Sequence, residues 1–89
     1  MNITSIYYTF HDGKVIVKVP FEIERETERC FFITGGYRYL KSEIGKPILR
    51  SATTYPYIEL VMVDADETTL REELSKWFIE EAQRVKEGK

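Results

Sequence analysis

The stretch Ile6-Tyr7-Tyr8-Thr9-Phe10-His11-Asp12-Gly13-Lys14-Val15-Ile16-Val17-Lys18-Val19 sets two runs of large, mostly apolar side chains on either side of an Asp-Gly pair. Asp-Gly suits a two-residue type I′ turn, because both positions accept positive φ. Counting outward from it, Phe10 meets Val15, Tyr8 meets Val17 and Ile6 meets Val19 on one face. On the other face Thr9 meets Ile16 and Tyr7 meets Lys18. Turn chemistry and alternation agree, so the chain opens with a β-hairpin.

Past Pro20, the alternation of Phe21 and Ile23 extends the second strand. Residues 24–29 hold no apolar side chain, so a helix there would have no face to bury, and a solvated bend is expected instead. A third strand follows over residues 30–34, with Phe31 and Ile33 on one side and Cys30 and Phe32 on the other, ended by Gly35-Gly36. Residues 41–47 read as a loop or a single helical turn closed by Gly45. Residues 48–54 are a candidate fourth strand, and a turn near Pro56 leads into residues 57–63, where Ile58, Leu60 and Met62 oppose Tyr57, Val61 and Val63.

The last segment is a helix over about residues 67–86. Thr69-Leu70-Arg71-Glu72 has the form of a capping box, Asp66 is the other candidate cap, and Asp64, Asp66 and Glu67 place negative charge at the positive end of the dipole. At about 100° per residue, Leu70, Leu74, Trp77, Phe78, Ala82 and Val85 form one stripe. Glu72, Glu73, Lys76, Glu80 and Arg84 cover the outside, and Ile79 stands apart.

These elements predict one α+β domain over residues 1–89: an antiparallel sheet of four or five strands in meander order (residues 3–63) with the C-terminal helix packed on one face. One helix covers about three strands on one side, yet two strands are apolar on both. The second face is then covered by curling of the sheet, by the segment 37–46 folding over it, or by a second copy, and a curved sheet or a homodimer is the expectation.

Eighty-nine residues with 43% hydrophobic content suffice for one modest core but not for a deep catalytic cleft. A net charge of −2 and a pI near 5.4 argue against wholesale binding of nucleic acid or anionic lipid. The balance is uneven: about −1 before residue 34, +3 over residues 34–57 and −4 afterwards. Cys30 is the only cysteine, which excludes an intrachain disulfide and leaves a zinc site without a second thiolate. The opening ten residues have neither a basic start nor a long apolar run, and no stretch approaches the roughly twenty apolar residues of a membrane span. A reducing, cytoplasmic setting is expected.

Individual catalytic candidates are weak. His11 and Asp12 fall at an exposed hairpin tip, where Asp serves the turn. Cys30 has no base beside it in sequence and fits a buried structural role. Asp64, Asp66 and Glu67 fit helix capping better than a cation site, and neither Gly35-Gly36 nor Gly45-Lys46 has P-loop spacing. No catalytic residue, metal or cofactor is expected. What remains is the basic, tyrosine-rich set Tyr37, Arg38, Tyr39, Lys41, Lys46, Arg50, Tyr55 and Tyr57. Tyrosine and arginine are enriched at interface hot spots, so the expectation is a non-enzymatic interaction module that binds a protein or a second copy through this surface. The alternative is single-stranded nucleic acid, with cations on phosphates and tyrosines stacked on bases.

Overall fold

The computed structural model of the protein describes residues 1–51 and 55–88. Among the described residues seven strands form one antiparallel sheet: β1 (Asn2–Thr9), β2 (Lys14–Val17), β3 (Phe21–Glu26), β4 (Cys30–Ile33), β5 (Arg38–Leu40), β6 (Ile48–Arg50) and β7 (Tyr57–Val63). A 3₁₀ turn at Lys41–Glu43 follows β5, and the helix α1 spans Glu67–Lys86. The sheet runs β5-β4-β3-β1-β7-β6, with β2 beside β1, and curls into a half-barrel with α1 on its outer side. The α+β class is as the sequence indicates, with more strands than expected. The meander breaks at β7, which returns to the centre of the sheet and pairs with β1 along seven residues from Ile3↔Val63 to Thr9↔Tyr57.

The hairpin forms two residues out of the expected register: Tyr8 faces Val15 and Ile6 faces Val17, across a loop of residues 10–13. Among the four loop residues only Gly13 takes positive φ, 67°. Asp12 instead spends its carboxylate as an acceptor, from the Thr9 hydroxyl and from the Lys14 N–H at 3.2 Å, which closes a wider loop. A slip of two preserves the side-chain alternation, so Ile6 and Tyr8 still share a face with Val15 and Val17. Val19 loses its partner and is exposed.

β3 is the continuation of β2 along the same edge of β1, after an offset at Lys18-Val19-Pro20. The register against β1 changes by one residue there, so Phe21, opposite Ile3, points to the side away from the helix. β3 also reaches further than the sequence suggests. Arg25 and Glu26 pair with Phe32 and Phe31, and only residues 27–29 remain as the bend. The Arg25 guanidinium lies 4.1 Å from the Phe32 ring centre, which lets a polar edge segment remain in the sheet.

The two faces of β1 and β7 carry two separate cores. On the helix side Ile6, Ile58, Leu60, Leu70 and Leu74 are buried together, with Tyr8, Val17, Met62, Trp77 and Phe78 around them. Here the Tyr8 ring meets Phe78 edge-on at 4.8 Å. On the concave side Ile3, Ile33 and Val61 are covered by Ile23, Phe31, Tyr39 and Ile44. The second face therefore finds its cover inside the chain: β3, β4 and β5 bend over it, and the segment after the 3₁₀ turn closes the far end. Gly45, at φ 83°, donates its N–H to the Val61 carbonyl at 2.8 Å.

Asp66, not Thr69, caps α1: its carboxylate accepts from the Thr69 N–H at 2.8 Å. The apolar stripe is buried only over its first half. Ala82 and Val85 are exposed, because the helix is longer than the sheet it crosses. β6 covers Ile48–Arg50, and the remainder of the expected fourth strand includes residues 52–54, which lie outside the described residues. Among the described residues no helix is long and apolar enough to cross a membrane.

Candidate functional site

The curl leaves an open cleft of about 350 Å³ on the concave side, between β1, β4 and β5. Tyr7 forms its floor, Tyr37 and Tyr39 one wall, and Phe21, Thr34 and Lys18 the other boundaries. Tyr7 stands on β1 pointing away from the helix because it alternates with Ile6 and Tyr8. Tyr39 arrives through pairing of β5 with β4, opposite Phe31. Gly35 and Gly36, with φ of 94° and 84°, make the sharp reversal that brings Tyr37 back beside Thr34. The Lys18 ammonium lies 4.8 Å from the Tyr7 ring centre.

Behind Tyr7 lies a buried carboxylate. Glu59 is 8% exposed, and it accepts from Arg50 Nε at 3.2 Å while Arg50 also reaches Glu43 at 3.0 Å. Among the described residues no buried side-chain polar atom lacks a hydrogen-bond partner, so the carboxylate is satisfied where it sits. Burial, and then the Glu59 charge, push the Tyr7 hydroxyl pKa well above the usual tyrosine value. Burial raises Tyr39 as well, followed by Tyr7 and Glu59. The Tyr7 and Tyr57 rings meet at 5.3 Å.

The raised tyrosines fix the sign of an alkaline effect. A group held neutral in the fold stabilises it below the unfolded-state pKa of about 10, and that contribution is lost as pH rises above this value. The wild-type stability therefore falls on raising the pH from about 9 to 11. Tyr7→Phe flattens this fall, measured as denaturant midpoints across that range, and an unchanged slope in the variant would exclude Tyr7 as its source.

The eight residues singled out in the sequence divide among several places. Tyr37 and Tyr39 line the cleft, whereas exposed Arg38, between them in sequence, pairs with Phe32 and alternates to the other face of β5. Lys41 pairs with Glu26 over the Phe31 ring, and Arg50 is held by Glu43 and Glu59. Lys46 is on the helix side of the sheet, in a groove with Glu73, Trp77 and Glu80. Tyr57 packs on Tyr7, and Tyr55 stacks on His11 at 4.3 Å. Two of the four cations thus serve internal ion pairs, and the tyrosines do not form one surface.

Tyr7, Lys18, Phe21 and Glu59 escaped the sequence reading. Glu59 left a signal: it is the only acid in the otherwise apolar strand Tyr57–Val63, and a lone carboxylate there needs a buried partner. Tyr7 and Lys18 share a hairpin face in the sequence, but nothing there sets them against Tyr37 and Tyr39, because only the fold brings β5 across β1. The remaining candidates have structural roles. His11 stacks at the hairpin tip, Cys30 is buried beside the Thr27 turn, and Asp64 accepts from the Asn2 N–H at 2.7 Å. Among the described residues no group of three His, Cys, Asp or Glu side chains is placed to hold a metal.

A scan against protein-family models, a search of the curated proteins and a search of the solved structures found no match to this chain.

Proposed function

We propose that the protein is a small non-enzymatic interaction module that binds another protein through the tyrosine-lined cleft of its half-barrel. The carrying observation is the cleft itself: three tyrosines and a phenylalanine around an open concavity of about 350 Å³, with Lys18 at its border. Such a surface suits an apolar or aromatic anchor from a partner, with tyrosine hydroxyls and one cation to orient it. The internal pairing of Lys41 and Arg50 supports a protein partner over single-stranded nucleic acid, since it withdraws two cations from phosphate. Self-association through the same cleft is the second form of this reading. Buried, unpaired Cys30 supports a reducing, cytoplasmic setting.

Affinity capture with the wild type and with Tyr37→Ala, together with solution mass at rising concentration, tests the reading. The expected result is a captured protein, or a dimer, that the variant loses. A strictly monomeric protein that captures nothing overturns it. Salt-sensitive binding of a labelled oligonucleotide, lost in the same variant, would replace it with the nucleic-acid reading.

A further inference from the structure

We propose that the outer edge of β2 takes up an extended acidic and apolar segment of another protein by strand addition, beside the tyrosine cleft and sharing only Lys18 with it. β2 pairs with β1 alone. Lys18 donates its N–H to the Ser5 carbonyl at 3.0 Å, so in the alternation of an antiparallel ladder Ile16 and Lys14 turn their backbone groups to β1 as well. The N–H and C=O groups of Val15 and Val17 then point outward, forming an unpaired edge.

Of the guards that sheets use against association, this edge carries only lysines, Lys14 and then Lys18, which repel a basic strand and admit an acidic one. β5 and β6 are three residues long and carry Arg38 and Arg50, whereas β2 has no proline, glycine or acid. Val15 is 40% exposed, Ile16 46% and nearby Val19 78%. Beside it on the helix side are two shallow grooves. One of about 190 Å³ is floored by Ile6, Tyr8, Val15, Leu74 and Phe78, and one of about 180 Å³ by Thr4, Val17, Pro20, Ala65 and Leu70. Val15 and Val17 are one strand repeat apart, about 7 Å, which is the spacing of alternate side chains on an added strand. Of the charges bordering the grooves on the helix side, Glu67 and Arg71 pair with each other at 3.0 Å, and the Asp66 carboxylate is occupied by the Thr69 N–H at the helix cap.

The opposite side of the edge decides the occupant. Lys14 and Lys18 alternate with Val15 and Val17, so they flank the edge on the concave side. The acid near Lys14 is Asp12, at 3.8 Å, and Lys18 rests over Tyr7. An added strand with acids at these positions and apolar residues toward the grooves complements both sides. A second copy does not: the register that joins Val15 to its Val17 sets Lys14 against its Lys18 at both ends.

The probe is a seven-residue peptide alternating glutamate with valine, compared with one in which lysine replaces glutamate. The expected result is binding of the glutamate peptide about tenfold more tightly, with slowed exchange of the Val15 and Val17 amides. Val15→Pro removes an outward N–H that the fold does not use, and abolishes binding at unchanged melting temperature. Should that variant fail to fold, Lys14→Glu/Lys18→Glu reverses the preference between the two peptides. Equal binding of both peptides, no binding at millimolar concentration, or unchanged amide exchange overturns the proposal. Amides that become protected in the protein alone as its concentration rises would assign the edge to a second copy instead. Tyr37→Ala leaves peptide binding intact, which separates this edge from the cleft.

Discussion

A chain ending at Asp66 does not fold: it shows no cooperative unfolding transition and no dispersed amide spectrum. The helix that is lost contributes Leu70 and Leu74 to the outer core and covers Ile6, Ile58 and Leu60. Burying side chains of this size contributes roughly 1.5 to 3 kcal/mol each, so these five account for roughly 7 to 15 kcal/mol. Small domains have net stabilities of about 5 to 15 kcal/mol, so the remaining sheet falls at or below zero. It would also expose an apolar face along β1 and β7, inviting aggregation. The control is a chain ending at Glu81. The described residues removed there, 82–88, are exposed, so this chain retains a cooperative transition. If the chain ending at Asp66 unfolds cooperatively, the sheet is self-sufficient and the role assigned to α1 is wrong.

Leu60→Ala lowers stability by about 3 kcal/mol and the melting temperature by roughly 12 to 24 °C. Leu60 is fully buried on the central strand β7, opposite Ile6 and under the helix. Its removal loses the transfer free energy of the side chain and leaves a cavity that β1, β7 and α1 cannot close without breaking the ladder between the two strands. Leu49→Ala on the neighbouring β6 is the comparison. Leu49 is exposed, and its truncation stays within about 0.5 kcal/mol. A loss under about 1 kcal/mol at Leu60, read from denaturant titrations, would mean that α1 is not docked on β7.

Local signals in the chain were legible where the physics is local. The helix could be read from its stripe and its acidic start, and the strand of residues 57–63 from its apolar run. The hairpin was legible as a hairpin but not in its register. The Asp12 side chain competed with the turn that Asp-Gly favours, by bonding Thr9 and Lys14. The capping choice between Thr69 and Asp66 is the same kind of contest between nearby hydrogen bonds, and Asp66 won it. The extension of β3 over Arg25 and Glu26 was not legible, because the partners that keep it in the sheet, Phe31 and Phe32, belong to another strand.

The basic tyrosine stretch shows the limit most clearly. Its composition was visible, but which of its cations are spent inside the molecule depends on Glu26, Glu43 and Glu59, at separations in sequence that no periodicity reports. The cleft that unites Tyr37 and Tyr39 with Tyr7 exists only because the sheet curls. By itself, the order of residues determined an antiparallel sheet followed by one amphipathic helix, and a sheet with two apolar faces. Only the tertiary structure decided that β7 returns to the centre, that the second face is closed by β3, β4 and β5, and that β2 is left as an open edge. The reason is physical: side-chain alternation and capping are set by neighbours in sequence, whereas strand order and curvature are set by which distant apolar surfaces exclude water together.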